Sequence, residues 1–518
     1  MISIPNLQLP DQSLENLGKF EQFWQAYRRN KLTGAAVPEL VRWQPSRLSD
    51  LDFDLVVAGG TLGIILAVAL QNRGWRVAVI ERGQLQGRVQ EWNIARRELR
   101  VLLELDLLSQ AELERTIVTE YNPGRLGFGG REFWVRDVLN LGVSPVLLLE
   151  LLKQKFLARG GILLEQTELL GVEVHPQGVV AVLGQTQLKA RLLLDMMGHF
   201  SPITAQARAK QCPDGVCMVI GSCATGLPDP GFGDLFYSFQ PISDYIQDFW
   251  EAFPAQDGRT TYLFCYADLE PGRLGFEQLL ERYLLALPEY QGVDLAGINF
   301  KRLLYGFFPS YRHSPLAPTW DRVLAVGDSS GSQSPLSFGG FGALLRHLPR
   351  LQEAIDLALR ADLLTKTDLA WVQPYQPSLA VTWLFQQSMR VTVGAELDPE
   401  AIRRLLGLTF EVMDDLGDAV LRPFLQDVVQ LPALTQTLLG MVLADPRLVA
   451  GIVGRVGWAS LASWLQDFSA LIGYDLLFRA GGWVEPWLGN LLPEQEYGLR
   501  CRLRAWQYGA GLDYRGGN

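Results

Sequence analysis

Asp54-Leu-Val-Val-Ala-Gly-Gly-Thr-Leu-Gly63, a helix-forming stretch, and then Val77-Ala-Val-Ile-Glu81 decide the fold. An apolar strand runs into a glycine turn and a helix, so backbone amides and the positive helix end converge where a pyrophosphate can sit. Gly60 allows close approach to that pyrophosphate, and Gly63 lets the helix pack on its strand. Glu81, about 20 residues further on, is placed to accept from ribose hydroxyls. Gly59 and Arg82 flank these contacts and belong to the same expected site. The first glycine of the usual G-x-G-x-x-G pattern is Ala58 here, so the stretch alone also fits a glycine turn in another strand-helix-strand unit.

A later segment narrows the choice. Asp321-Arg-Val-Leu-Ala-Val-Gly-Asp328 is a short apolar strand ending in Gly-Asp, followed by a small-residue loop to Gly342 and a helical pattern from Ala343 to Leu359. It resembles the second flavin contact of FAD-dependent oxidoreductases of the hydroxylase and geranylgeranyl-reductase type. That resemblance implies that Asp328 meets the ribityl chain and pyrophosphate, and that the helix start at Gly340 faces the flavin ring. Between the two, Leu192-Leu-Leu-Asp-Met-Met-Gly198 resembles the same families' strand ending in Asp-x-x-Gly. Three strand ends in this order imply FAD.

Composition excludes other classes. The chain has 518 residues, 48% hydrophobic and 20% charged, which allows two or three domains and a sizeable core. A net charge of −10 without a basic run argues against nucleic acid and, on average, against anionic lipid. Five cysteines without a C-x-x-C pair fit a reducing compartment, and Cys212, Cys217 and Cys223 lack the spacing and partners of a zinc site, so no metal is expected. The opening residues carry neither an export nor a transit signal.

The expected class is α/β: a Rossmann-like FAD-binding domain, an inserted β-sheet substrate domain and a helical C-terminal region. The boundaries read as 1–50, an extension with a helix over Leu14 to Arg29; 51–211, the first part of the FAD domain; 212–310, the β-rich insert; 311–361, its second part; and 362–518, helical. The last region holds seven of the 14 tryptophans. Its apolar runs are broken by Pro432, Arg455, Asp467 and Asp475, which suits interfacial or buried helices better than a span.

Longer strings add a more specific likeness. Glu81-Arg-Gly-Gln-Leu-Gln-Gly-Arg-Val-Gln-Glu-Trp-Asn-Ile-Ala-Arg96, Glu120-Tyr-Asn-Pro-Gly-Arg125, Phe249-Trp-Glu-Ala-Phe-Pro254, Gln333-Ser-Pro-Leu-Ser-Phe-Gly-Gly-Phe-Gly342 and Leu421-Arg-Pro-Phe-Leu-Gln-Asp427 closely resemble the CruP-type branch of the CruA/CruP lycopene cyclases of cyanobacteria. The resemblance runs from about Phe53 to the end. It implies a flavoprotein that uses reduced FAD and acts on, or binds, lycopene or a related carotenoid. It also implies peripheral attachment on the cytoplasmic side of a thylakoid or plasma membrane.

Cyclising an acyclic polyene end needs a proton donor and no net oxidation. Carboxyls ionise near about pH 4, so the donor must be desolvated to stay protonated. Glu251 is the expected catalytic acid, with Trp250 and Phe253 as substrate-facing rings able to meet a cation. The same segment also reads as plain core: Glu251 as an edge-strand carboxylate paired with an arginine, Trp250 and Phe253 as packing residues. Two other functions stay open. One is a redox flavoprotein such as a polyprenyl reductase or monooxygenase; the other is a non-catalytic carotenoid- or chlorophyll-binding factor for photosystem assembly or photoprotection.

Overall fold

The computed structural model describes residues 9, 10 and 12–514, so the opening residues 1–8, on which the reading of targeting signals rests, lie outside it. Phe53–Ala58 and Val77–Ile80 form parallel strands because their β-branched and aliphatic side chains are buried on both faces. They sit in an eight-stranded sheet, between Thr186–Asp195 on one side and Ile162–Leu164 on the other. The region Gly171 to Asp195 is an antiparallel run of three strands, and Val41–Trp43 adds the edge. Helix Gly60–Gln71 is apolar around its circumference, as its burial between sheet and neighbouring helices requires.

Register sets the functional edge. Ala58 pairs with Ile80 and Asp195, and Asp195 pairs with Ala325 on Val323–Ala325. Four parallel strands therefore end level with one another, and the loops leaving them meet at the carboxyl edge where open α/β sheets bind ligands.

The second sheet has seven strands in the order Asn299–Ser310, Gly215–Thr225, Gly258–Ala267, Phe249–Ala255, Gly233–Ser238, Gly124–Phe128 and Arg131–Val135. The second sheet is thus not confined to 212–310, the range expected for the β-rich insert. Two strands come from 124–135 and join through a parallel pairing of Gly124–Phe128 with Gly233–Ser238. One face packs on helices Phe276–Gln291 and Ser13–Thr33, burying Leu17, Trp24 and Tyr283. The N-terminal helix is therefore a packed part of this layer and not a free extension. The opposite face packs on helix Ala401–Leu416 through Leu406, Phe410 and Met413.

The C-terminal helices are likewise not a separate unit. Helix Pro493–Gly509 places Tyr497 and Cys501 in the core of the first layer, and Arg346 holds Asp513 through two 2.7 Å bonds. Among the described residues no single helix is long and apolar enough to cross a membrane; Leu431–Ala444 and Pro446–Val456 pass on length and composition only as a pair bent by 115°.

Candidate functional site

Gly59 has φ +99°, and a Cβ there would lie 2.3 Å from the Met196 carbonyl oxygen, so only glycine fits the turn between strand and helix. A Cβ on Gly63 would come within 2.7 Å of Val57 Cγ1, which is the close helix-on-strand packing expected of it. Gly60 differs in detail. Its missing side chain faces Glu81 and Leu85, and its amide donates to Glu81 Oε2 at 2.8 Å. Glu81 Oε1 accepts from the Gly83 amide at 3.0 Å, so this carboxylate braces the turn while keeping lone pairs for further donors. Arg82 is exposed beside it and makes no ion pair with the described residues.

Asp328 lies in the single turn Gly327–Ser329 that leaves Val323–Ala325. Its Oδ1 is buried without a hydrogen-bond partner, and Gly340, the first residue of helix Gly340–Ala361, would place a Cβ 2.2 Å from that atom. His199 Nε2 stands 4.0 Å from Oδ2, with its pKa lowered by burial. Asp195 was not assigned a role from sequence. It is fully buried and accepts from Ser201 Oγ, Thr204 Oγ1, Ser329 Oγ and the Met197 amide, tying the second strand end to the third.

These groups fit a dinucleotide. Amides at a helix start suit a pyrophosphate, Glu81 and the orphaned Asp328 oxygen suit hydroxyl donors, and the bare helix start at Gly340 suits partial negative charge.

The loop joining Asp328 to Gly340 has a second side. Leu336 and Ser337 line an apolar cavity of about 230 Å³ between the second sheet and the C-terminal helices. Its walls include Phe236, Phe264 and Tyr266 from strands, and Phe410, Leu438, Met441, Ile452 and Trp464 from helices. Glu251 and Asp427 are the two carboxyl groups on the wall.

Phe249–Ala255 is an interior strand, flanked by Gly258–Ala267 and Gly233–Ser238, so the edge-strand reading of Glu251 fails. Neither a hydrogen bond nor an ion pair reaches the Glu251 carboxyl from the described residues. The side chain keeps some accessible surface and lines the cavity. Desolvation alone pushes its pKa up to about 8, leaving it mostly protonated at neutral pH.

The strand's two-residue period separates Trp250 from Glu251. Trp250 is fully buried on the opposite face, with ring centroids 5.6 Å from Tyr283 and 4.6 Å from Tyr290, and does not reach the cavity. Phe253 shares the face of Glu251 but packs on Tyr121, 5.9 Å between centroids, and is not on the cavity wall. Other strands contribute rings on this side: Tyr262 lies opposite Glu251 in register, and Phe264 and Tyr266 stand on the cavity wall. Cys217, Cys223, Cys265 and Cys501 are buried as single thiols, and Cys212 is exposed.

No family model matches the chain, and no curated protein matches it significantly. Solved structures do. A geranylgeranyl bacteriochlorophyll reductase-like protein from Thermoplasma acidophilum superposes with a TM-score of 0.56 at 14% identity, covering 80% of this chain and 100% of that one. The fold is that of FAD-binding reductases and hydroxylases. The halogenase PltM, as a point mutant in complex with FAD, gives 0.52 at 13% identity over 88% of this chain and 96% of its own. Aklavinone-11 hydroxylase in a ternary complex with FAD and aklavinone gives 0.50 at 17% over 66% and 70%.

Proposed function

We propose that the protein is an FAD-dependent lycopene cyclase of the CruP type, closing acyclic polyene ends by proton-initiated, non-redox chemistry. The observation that carries this is the Glu251 carboxyl: unpartnered, protonated at neutral pH and set in an apolar cavity. Gly59, Gly60, Glu81, Asp328 and the helix start at Gly340 would hold FAD, which in its reduced form supplies fixed negative charge beside a developing cation. Glu251 protonates the terminal double bond. The faces of Phe236, Phe264 and Tyr266 stabilise the cation, and the dry wall keeps water from capturing it.

A cavity of about 230 Å³ holds an end group and not a long polyene, so the remainder must leave between the helices. Leu443, Trp458, Trp483 and Trp487, each at least 67% exposed on those helices and the turn that follows, support peripheral docking on a membrane that delivers the substrate.

A second reading is a redox flavoprotein such as a polyprenyl reductase, supported by the reductase and hydroxylase structures that share the fold. Glu251 would then supply the proton that completes alkene reduction. Anaerobic incubation with lycopene and pre-reduced FAD, followed by chromatography and mass spectrometry, separates the readings. A cyclic product of unchanged mass supports the cyclase, hydrogen gain supports the reductase, and unchanged bound lycopene supports a binding protein.

A further inference from the structure

The string Leu421-Arg-Pro-Phe-Leu-Gln-Asp427 carried no assigned chemistry, yet its last residue shares the cavity with Glu251. We propose that Asp427 is the proton acceptor that ends the cyclisation started by Glu251, and so fixes where the ring double bond forms. This rests on the cyclase reading above.

The geometry gives the two carboxyls different company. Glu251 faces the phenols of Tyr121, Tyr262 and Tyr266 and the thiol of Cys217, all with pKa values raised by burial, and no cation or donor contacts it. Asp427 stands on the helix-to-helix turn between Asp418–Leu425 and Leu431–Ala444, with φ +59°, a conformation aspartate tolerates. Ser337 donates its hydroxyl to Asp427 Oδ2, Ser334 adds a second hydroxyl, and the Arg346 charge acts on the same side. Tyr266 and Glu98 are the other titratable neighbours; burial, with a contribution from Asp427, pushes Glu98 up to about 7.

Burial raises the pKa of both cavity carboxyls, but only Asp427 has hydroxyl donors and a cation to favour its anion. Two carboxyls in one cavity, one without donors and one held by hydroxyls, have the division of surroundings an acid and base pair needs. Asp427 also lies against the loop to the flavin-facing helix, 3.8 Å from where a Cβ of Gly339 would be.

The step balances. A proton moves from Glu251 to the terminal alkene carbon, the next double bond supplies the electron pair that closes the ring, and Asp427 takes a proton from a carbon beside the new cation. That C–H pair becomes the ring double bond. No oxidant is consumed, and the carboxyls exchange protonation states that solvent resets before the next turnover.

The test uses the full chain with pre-reduced FAD and lycopene under anaerobic conditions, reading rate, ring isomer and pH profile. The wild type should give one dominant isomer and a bell-shaped profile. Asp427→Asn should slow turnover ~10²–10⁴-fold, lose the acid limb and yield mixed isomers or water-trapped products; Asp427→Glu should restore the isomer. Ser337→Ala, which removes one donor without touching the acid, should move the acid limb to higher pH and guards against an unfolded Asp427→Asn. Wild-type isomer and profile in both Asp427→Asn and Ser337→Ala would overturn the assignment alone. No ring from the wild type overturns it together with the reading it rests on.

Discussion

The Asp328 carboxyl occupies the space in front of Gly340: a Cβ on residue 340 would sit 2.2 Å from Asp328 Oδ1. One residue lies in the turn that follows a strand and the other starts a helix, and their contact brings the two halves of the expected flavin contact together.

Gly340→Ala should therefore lose flavin. Relieving the overlap means moving Asp328 or the helix start, at a cost of about 1–3 kcal/mol, or ~5–150-fold in affinity. Flavin absorbance and a fluorescence titration check this. Wild-type flavin affinity in Gly340→Ala would show that the contact does not serve the cofactor.

Glu251 should leave a mark on stability as a function of pH. Its folded pKa, near 8, lies above the usual value of 4.5. A carboxyl raised in this way contributes its full stability below the unfolded pKa, and that contribution drains away as pH rises through the folded value. Glu251→Gln removes this dependence, so the variant should gain on the wild type between about pH 5 and about pH 8, by an amount on the order of a few kcal/mol. Denaturant titrations at both pH values decide it; a difference that stays constant with pH would mean the carboxyl ionises normally.

Membrane docking should depend on exposed aromatic residues and be reversible. Replacing Trp458, Trp483 and Trp487 by serine removes side chains that are 79%, 85% and 67% exposed and should weaken vesicle flotation without lowering the melting temperature. Alkaline carbonate should release the wild type from membranes. Full retention in the pellet would point to an inserted helix pair.

What the sequence revealed depended on how local the signal was. The glycine turn, Glu81 and the Gly327-Asp328 strand end were legible because each sits within a few residues of the strand that positions it. The pairing of Gly124–Phe128 with Gly233–Ser238 was not, since a parallel contact more than a hundred residues apart leaves no local pattern. Strand period would have placed Trp250 away from Glu251; the cluster of aromatic letters obscured it. The role of Asp427 and the partners of Asp195 were not legible for a different reason. Their surroundings are assembled from helices and loops distant in sequence, and only packing shows that one faces a cavity and the other a ring of hydroxyls.

If Glu251 donates the proton, turnover of lycopene by Glu251→Gln with pre-reduced FAD, measured beside the wild type, shows it. The amide keeps the shape but cannot protonate an alkene, so flavin and polyene binding should persist while ring formation falls by at least ~10²–10⁴-fold. Cyclisation by Glu251→Gln within a few-fold of the wild-type rate would mean that another group donates the proton.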